Sequence, residues 1–271
     1  MKFLKSVPKT FQKRALKIDK RLRLVISVLA LGSIIFISTF FFFDKAFFFL
    51  PLLFIATYFF TYFSLAEGVD KMGRFGLFLM PEMTTISFYL FYFLFPGRWL
   101  TRLPFIIFYE ISIYAVLLCS NIFNVGVEKS LGLYRAAFSI NFLYQTIISF
   151  IVFNLFFATK TNFLINGVGA GIIGFLMALN LLWTIRLKKT LEKEVLHYAL
   201  LIALILSELA MLVSFIPLKT PIYSLFMTAS YYSLAGLIYS YMDQRLFQET
   251  IREFVLVLSF VLAITIFSIS W

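Results

Sequence analysis

Long apolar runs separated by short polar connectors make up almost the whole chain. A helix needs about 20 mostly apolar residues to cross a bilayer. Nine stretches meet that requirement: 24–43, 47–66, 75–96, 103–123, 137–158, 164–185, 199–218, 222–242 and 255–271. The first two are parted only by Asp44-Lys45-Ala46. This predicts a tight helical hairpin, since one helix across both would be about twice the length a bilayer requires. The last run is the shortest. The pattern predicts an all-α fold, a polytopic transmembrane bundle of about nine spans. No connector is long enough for a separate domain, so the chain reads as a basic segment, 1–23, followed by a single helical domain, 24–271.

Composition agrees with that reading and removes other classes. Of 271 residues, 62% are hydrophobic and only 14% charged, and the mean hydropathy is +0.95. A soluble domain is about half apolar and about a quarter charged. A soluble enzyme, a disordered tail and a disulfide-stapled secreted module are therefore excluded. The 37 Phe residues fit selection for apolar bulk and AT-rich codon usage equally well and carry no functional argument. Cys119 is the only cysteine and His197 the only histidine, so neither a multi-cysteine metal site nor a paired-imidazole centre is available. No metal and no cofactor is expected.

Charge placement sets the predicted topology. Lys and Arg collect in cytoplasmic loops. With the N-terminus inside, the inner segments hold 19 of the 24 basic residues and the outer ones 5. The expected orientation is N-inside and C-outside, and an odd number of spans preserves the asymmetry. The net charge of +11 then belongs mainly to the inner face. It favours anionic lipid as a partner there and gives no reason to invoke nucleic acid. Residues 1–23, with Phe3, Leu4, Val7, Phe11, Leu16 and Ile18 among basic side chains, read as a segment lying on the inner leaflet. The stretch that follows lacks the small-residue cleavage site of a signal peptide, so the segment is expected to be retained. Residues 243–254, DQRLFQETIREF, read as a short amphipathic connector.

Several motifs carry less than their letters suggest. Gly169-Ala-Gly171-Ile-Ile-Gly174 matches the dinucleotide fingerprint, but that fingerprint needs a strand before it and a soluble βαβ unit around it. Within an apolar span, Gly167, Gly171 and Gly174 read as small residues that let two helices approach closely. Glu194 and His197 have the spacing of a carboxylate-bridged metal site, yet such sites need two such pairs. They are expected on a solvated helix turn. No phosphate-binding loop, serine–histidine dyad or pair of aspartate-rich motifs is present, so whether the chain is an enzyme stays open and nothing marks a catalytic group.

Three acids remain inside the spans: Glu82, Glu110 and Glu208. A carboxylate within the bilayer costs several kcal/mol and marks a functional candidate by default. Glu208 is the tenth of twenty residues in its span, near the midplane. Glu82 follows Pro81 and precedes Thr84 and Thr85, which can re-satisfy polar groups that the proline frees. The competing explanation is a protonated acid donating one hydrogen bond between helices. Asn121, Asn124, Asn141, Gln145, Asn154 and Asn180 are also in or near the spans, where amides hydrogen-bond across helices. Gln145 joins the three glutamates as the candidate intramembrane polar site. A stripe of Ser224, Thr228, Tyr231, Tyr232, Gly236 and Tyr239 reads as an inter-helix seam, with a ligand-lined cavity as the alternative.

Asn121-Ile-Phe-Asn124-Val and Leu133-Tyr-Arg-Ala-Ala137 resemble segments of uncharacterised multi-pass bacterial membrane proteins. The resemblance covers under a tenth of the chain and implies a bacterial cytoplasmic membrane but no activity. It draws attention to Asn121, Asn124 and Arg135 at the inner ends of neighbouring helices. Three functional classes follow: a helical membrane subunit or scaffold that works through a membrane-protein partner, a small proton-coupled secondary transporter using the glutamates, and an enzyme acting on a lipid-linked substrate with a glutamate and Arg135 or Arg74.

Overall fold

The computed structural model describes residues 17–40, 46–67, 74–94, 99–126 and 132–269. The described residues form nine helices and no strand: α1 (Lys20–Ser38), α2 (Ala46–Ser64), α3 (Arg74–Tyr92), α4 (Trp99–Val125), α5 (Gly132–Ala158), α6 (Phe163–Trp183), α7 (Lys193–Val213), α8 (Thr220–Met242) and α9 (Gln248–Phe267). Each corresponds to one of the nine apolar stretches. Six are long and apolar enough to cross a membrane: α1, α4 from Thr101, α5, α6, α7 and α9. In α2, only the shorter stretch Phe48–Ser64 ranks as an apolar helix. The Ser, Thr and Tyr content of α3 and α8 lowers their hydropathy below that of the other six.

Boundaries differ from the apolar runs for physical reasons. Helix formation needs backbone hydrogen bonds rather than apolarity, so α7 starts at Lys193, six residues before its apolar run. It ends at Val213, ahead of Pro217, because a proline disfavours helical backbone in the residue before it. Residues 243–254 are not a separate amphipathic helix. Asp243 and Gln244 form a turn, and Gln248 already opens α9. Left-handed residues turn the chain after α5, α6 and α8, namely Lys160, Leu187 and Gln244. Residues 1–16 of the basic N-terminal segment and Asp44-Lys45 of the predicted hairpin lie outside the described residues.

The helices group into two compact units, 1–141 and 142–271, the division falling within α5. In the first, α1 packs on α2 and α4, and α3 packs on α2 and α4, so the four close a ring. The Ser27 hydroxyl donates to the Phe60 carbonyl at 3.1 Å and ties α1 to α2. The rings of Tyr58 and Phe78, 4.7 Å apart, join α2 to α3. Phe88 of α3 sits against Phe105, Phe108 and Tyr109 of α4.

In the second unit α6 and α7 make the most intimate pair. A Cβ added at Gly171 would lie 3.2 Å from the Ser207 Cβ and 3.3 Å from the Ala203 carbonyl, a close approach that glycine allows without displacing either helix. Gly167 and Gly174 face Met211 and Leu206 of the same partner helix. Gly169, from the same sequence string, faces Phe156 of α5 instead. The α5 rings of Phe142 and Phe157 stack on Tyr232 and Tyr223 of α8 at 4.9 and 3.8 Å, and the Ser233 hydroxyl donates to the Phe254 carbonyl of α9 at 3.1 Å.

Candidate functional site

Bulky apolar side chains are exposed on almost every helix, while many hydroxyl and amide groups are buried. Ser27, Thr57, Thr61, Thr84, Thr85 and Ser112 are all within the first unit's interior. Short hydroxyl side chains return their hydrogen bonds to the preceding turn, as Thr84 does to the Met80 carbonyl at 2.8 Å and Ser112 to Phe108 at 2.7 Å. They can therefore pack inside without needing water.

Glu82 is the ninth of nineteen residues in α3, which runs unbroken through Pro81. Its side chain is buried and neither carboxylate oxygen has a hydrogen-bond partner. Thr84 and Thr85 do not turn toward it. Thr84 bonds its own helix, and the Thr85 hydroxyl pairs with Tyr109 of α4 at 3.0 Å. On α2, which packs beside α3, the Thr57 and Thr61 hydroxyls are also buried without a partner.

Glu110 is the twelfth of 27 residues in α4 and is partly exposed. Its carboxylate lies across Gly32 of α1 and lines a groove between the two helices. Glu82 and Glu110 are both within electrostatic reach of Tyr109, yet Glu82 is buried and Glu110 partly exposed.

Glu208 and Gln145 belong to the second unit. Glu208 is the sixth residue from the end of α7, roughly 8 Å from it along the axis at the rise of an α-helix. α7 begins and ends ahead of its apolar run, so Glu208 is the sixteenth of its 21 residues. It is exposed, on a line with Leu200, Leu201, Leu204 and Leu212. Gln145 is fully buried and fully used. Its amide nitrogen donates to Asn180 at 2.8 Å and its oxygen accepts from the Tyr231 hydroxyl at 2.7 Å. Within the first unit Glu82 is buried while Glu110 is partly exposed, and within the second Glu208 is exposed while Gln145 is buried. Gln145 closes a hydrogen-bonded chain across α5, α6 and α8, and each glutamate has its own surroundings.

Sequence reading missed one cluster. Arg23, counted among the basic residues of the N-terminal segment, is only 1% exposed. It lies on the same face of α1 as Leu24, Ser27 and Leu31 and pairs with Glu67. Lys20 stands 3.6 Å from the same carboxylate. Asn124 donates its amide to the Leu65 and Glu67 carbonyls at 3.2 and 2.5 Å, closing the C-terminal end of α2. The helical phase of Arg23 relative to Ser27 was the available signal. Asn121 is half-buried and Arg135 exposed. Glu194 pairs with Arg186 at 3.1 Å on the exposed start of α7, where His197 is also exposed.

These features define an all-helical protein with six helices apolar enough to span a membrane and with carboxylates embedded among them. Residues 69–268, which include α3 to α9, match a family described as a protein of unknown function (DUF5656), and the chain belongs to that family. No curated protein matches the chain, and no solved structure matches it.

Proposed function

We propose that this protein is a multi-pass subunit or scaffold of a bacterial cytoplasmic membrane, with nine spans, the N-terminus inside and the C-terminus outside. The inverted distribution of side chains supports the membrane setting. An outer surface of Leu, Ile and Phe is unfavourable in water and matches hydrocarbon. The 19-to-5 bias of basic residues supports nine crossings, because it depends on all nine helices alternating in direction.

Glu208 carries the subunit reading. An acid on an exposed line of leucines is poorly accommodated by lipid alone, whereas a neighbouring transmembrane helix with a hydrogen-bond donor or a cation would accommodate it. The 24 basic residues of this chain lie outside the apolar runs, so a second copy has only hydrogen-bond donors to offer at that depth, whereas a different protein can also supply a cation. A photo-crosslinking residue at Leu204, beside Glu208, is expected to trap one stoichiometric membrane partner in intact cells. The crosslink should fall about fivefold or more in Glu208→Leu, a coupling on the order of 1 kcal/mol. A chain that is folded and solitary in membranes, with no crosslink from Leu204, overturns the proposal.

Glu82 supports a second reading, a proton-coupled carrier. A buried carboxylate without any hydrogen-bond partner is a poor structural element and a reasonable proton-binding group in a transmembrane helix. Uptake driven by a pH gradient in proteoliposomes should then disappear in Glu82→Gln, and undiminished uptake in that variant removes Glu82 from the mechanism.

A further inference from the structure

We propose that the groove between α1 and α4 is a binding site for a small lipophilic cation, an amine or quaternary ammonium on an apolar body, with Glu110 as its counter-ion. The groove has a volume of about 250 Å³ and is lined by Val25, Val28, Leu29, Glu110, Ile111 and Tyr114. Both walls come from helices that pack directly on each other within the first unit.

The sequence builds this groove in a simple way. Val25, Val28, Leu29 and Gly32 share one face of α1, spaced by three and four residues, and span about two helical turns, roughly 10 Å. Glu110 and Tyr114 are one turn apart on α4. At the Gly32 end the two helices leave no room for a side chain, since a Cβ there would collide with the Glu110 carboxylate. The glycine therefore gives that carboxylate its resting place, at one end of an open groove whose surface is almost wholly apolar. Tyr114, 39% exposed, adds an aromatic ring one turn away, the kind of surface that attracts cations.

Chemistry selects the occupant. Glu110 is the only charged group on the lining, and it takes part in no ion pair or hydrogen bond among the described residues. A lipid acyl chain would satisfy Val25, Val28 and Leu29 but leave the carboxylate unpaired in a poorly polar setting. An ammonium group attached to an apolar body satisfies both. Its attraction to the carboxylate is strong where water is scarce, and its body removes the same valine and leucine surface from lipid. The volume is smaller than a typical drug-sized pocket of roughly 300–1,000 Å³, so the ligand is of fragment size. This inference does not depend on the subunit reading, which concerns α7.

The test uses the full chain in lipid nanodiscs and a tritiated probe, 4-phenylbutylamine, read by scintillation proximity. Its neutral counterpart, 4-phenylbutanol, serves as competitor. Binding is expected to saturate, to weaken about tenfold or more in Glu110→Gln, and to weaken comparably in Gly32→Leu, where the new side chain displaces the carboxylate. The alcohol should compete about tenfold less well than unlabelled amine. Glu249→Gln on α9, exposed and remote in sequence, should leave binding unchanged. Glu110→Gln retains the shape of the side chain, so it reports charge rather than folding. Thermal unfolding of Gly32→Leu separates loss of the site from loss of the fold. Signal no greater than in empty nanodiscs, equal affinity in Glu110→Gln, or equal competition by the alcohol each overturns the proposal.

Discussion

The fate of each polar residue is decided by a few ångströms of local geometry. Gln145, Asn180 and Tyr231 are buried together, and Gln145 hydrogen-bonds both of the others. Replacing Gln145 by Leu removes both bonds and takes its partner from the buried Tyr231 hydroxyl. The variant should lose about 1–2 kcal/mol of stability, measured by reversible unfolding in mixed micelles. Tyr231→Phe, which removes one bond, should lose less. Glu192, at the start of α7, illustrates the opposite setting. Its hydrogen bond from Lys188, with Arg186 nearby, holds its carboxyl below the usual range. A carboxyl whose pKa is depressed on folding contributes order at neutral pH and loses that contribution as pH falls through its folded value. The protection of amides 184–192 against exchange, taken relative to their intrinsic rate at each pH, should therefore fall below the ordinary glutamate range, near pH 4 or lower, and Glu192→Gln should be less protected at neutral pH with little further acid response. The residue types were legible in the sequence. Their partners were not, because Gln145 and Tyr231 are separated by 86 positions and nothing local encodes that meeting.

At the level of elements, the sequence was most informative about existence and least about ends. All nine apolar stretches became helices, since a long apolar run in these chains has no better way to satisfy its backbone. The ends moved because capping, prolines and charged first turns extend or stop a helix independently of its hydropathy. The three glycines of the α6–α7 pair show how composition becomes packing. Gly171 lies against the Ser207 Cβ and the Ala203 carbonyl rather than the far end of a flexible side chain, so Gly171→Leu should force the helices apart and lose about 1–3 kcal/mol. The same substitution at Gly132, where a Cβ meets nothing within 4 Å, should be close to neutral. Comparable losses at both positions, in thermal unfolding followed by fluorescence, would contradict the close approach of α6 and α7.

For the whole molecule, topology is the property most open to direct test. In a Cys119→Ser background, a membrane-impermeant thiol reagent added to intact cells should label cysteines placed at Lys160 and Lys219. Cysteines at Lys189 and Arg245 should label only after lysis. Labelling of positions 160 and 189 from the same side rules out nine alternating crossings. The charge bias that motivates this order is a bulk property, readable from a chain without coordinates because insertion responds to loop charge rather than to tertiary contacts.

The sequence by itself determined that the chain is helical and apolar, where its helices lie, and which few ionisable groups stand among them, since these follow from local composition and the 1.5 Å rise of a helix. Only the tertiary structure decided what each group meets. It buried Glu82 without a hydrogen-bond partner, laid Glu110 across Gly32 on an open groove, and placed Glu208 on an exposed line of leucines and Gln145 in a hydrogen-bonded chain. The reason is rotational. A residue's depth is set by its position along a helix, but the direction its side chain takes depends on how that helix is turned against its neighbours, and that is settled only when they pack.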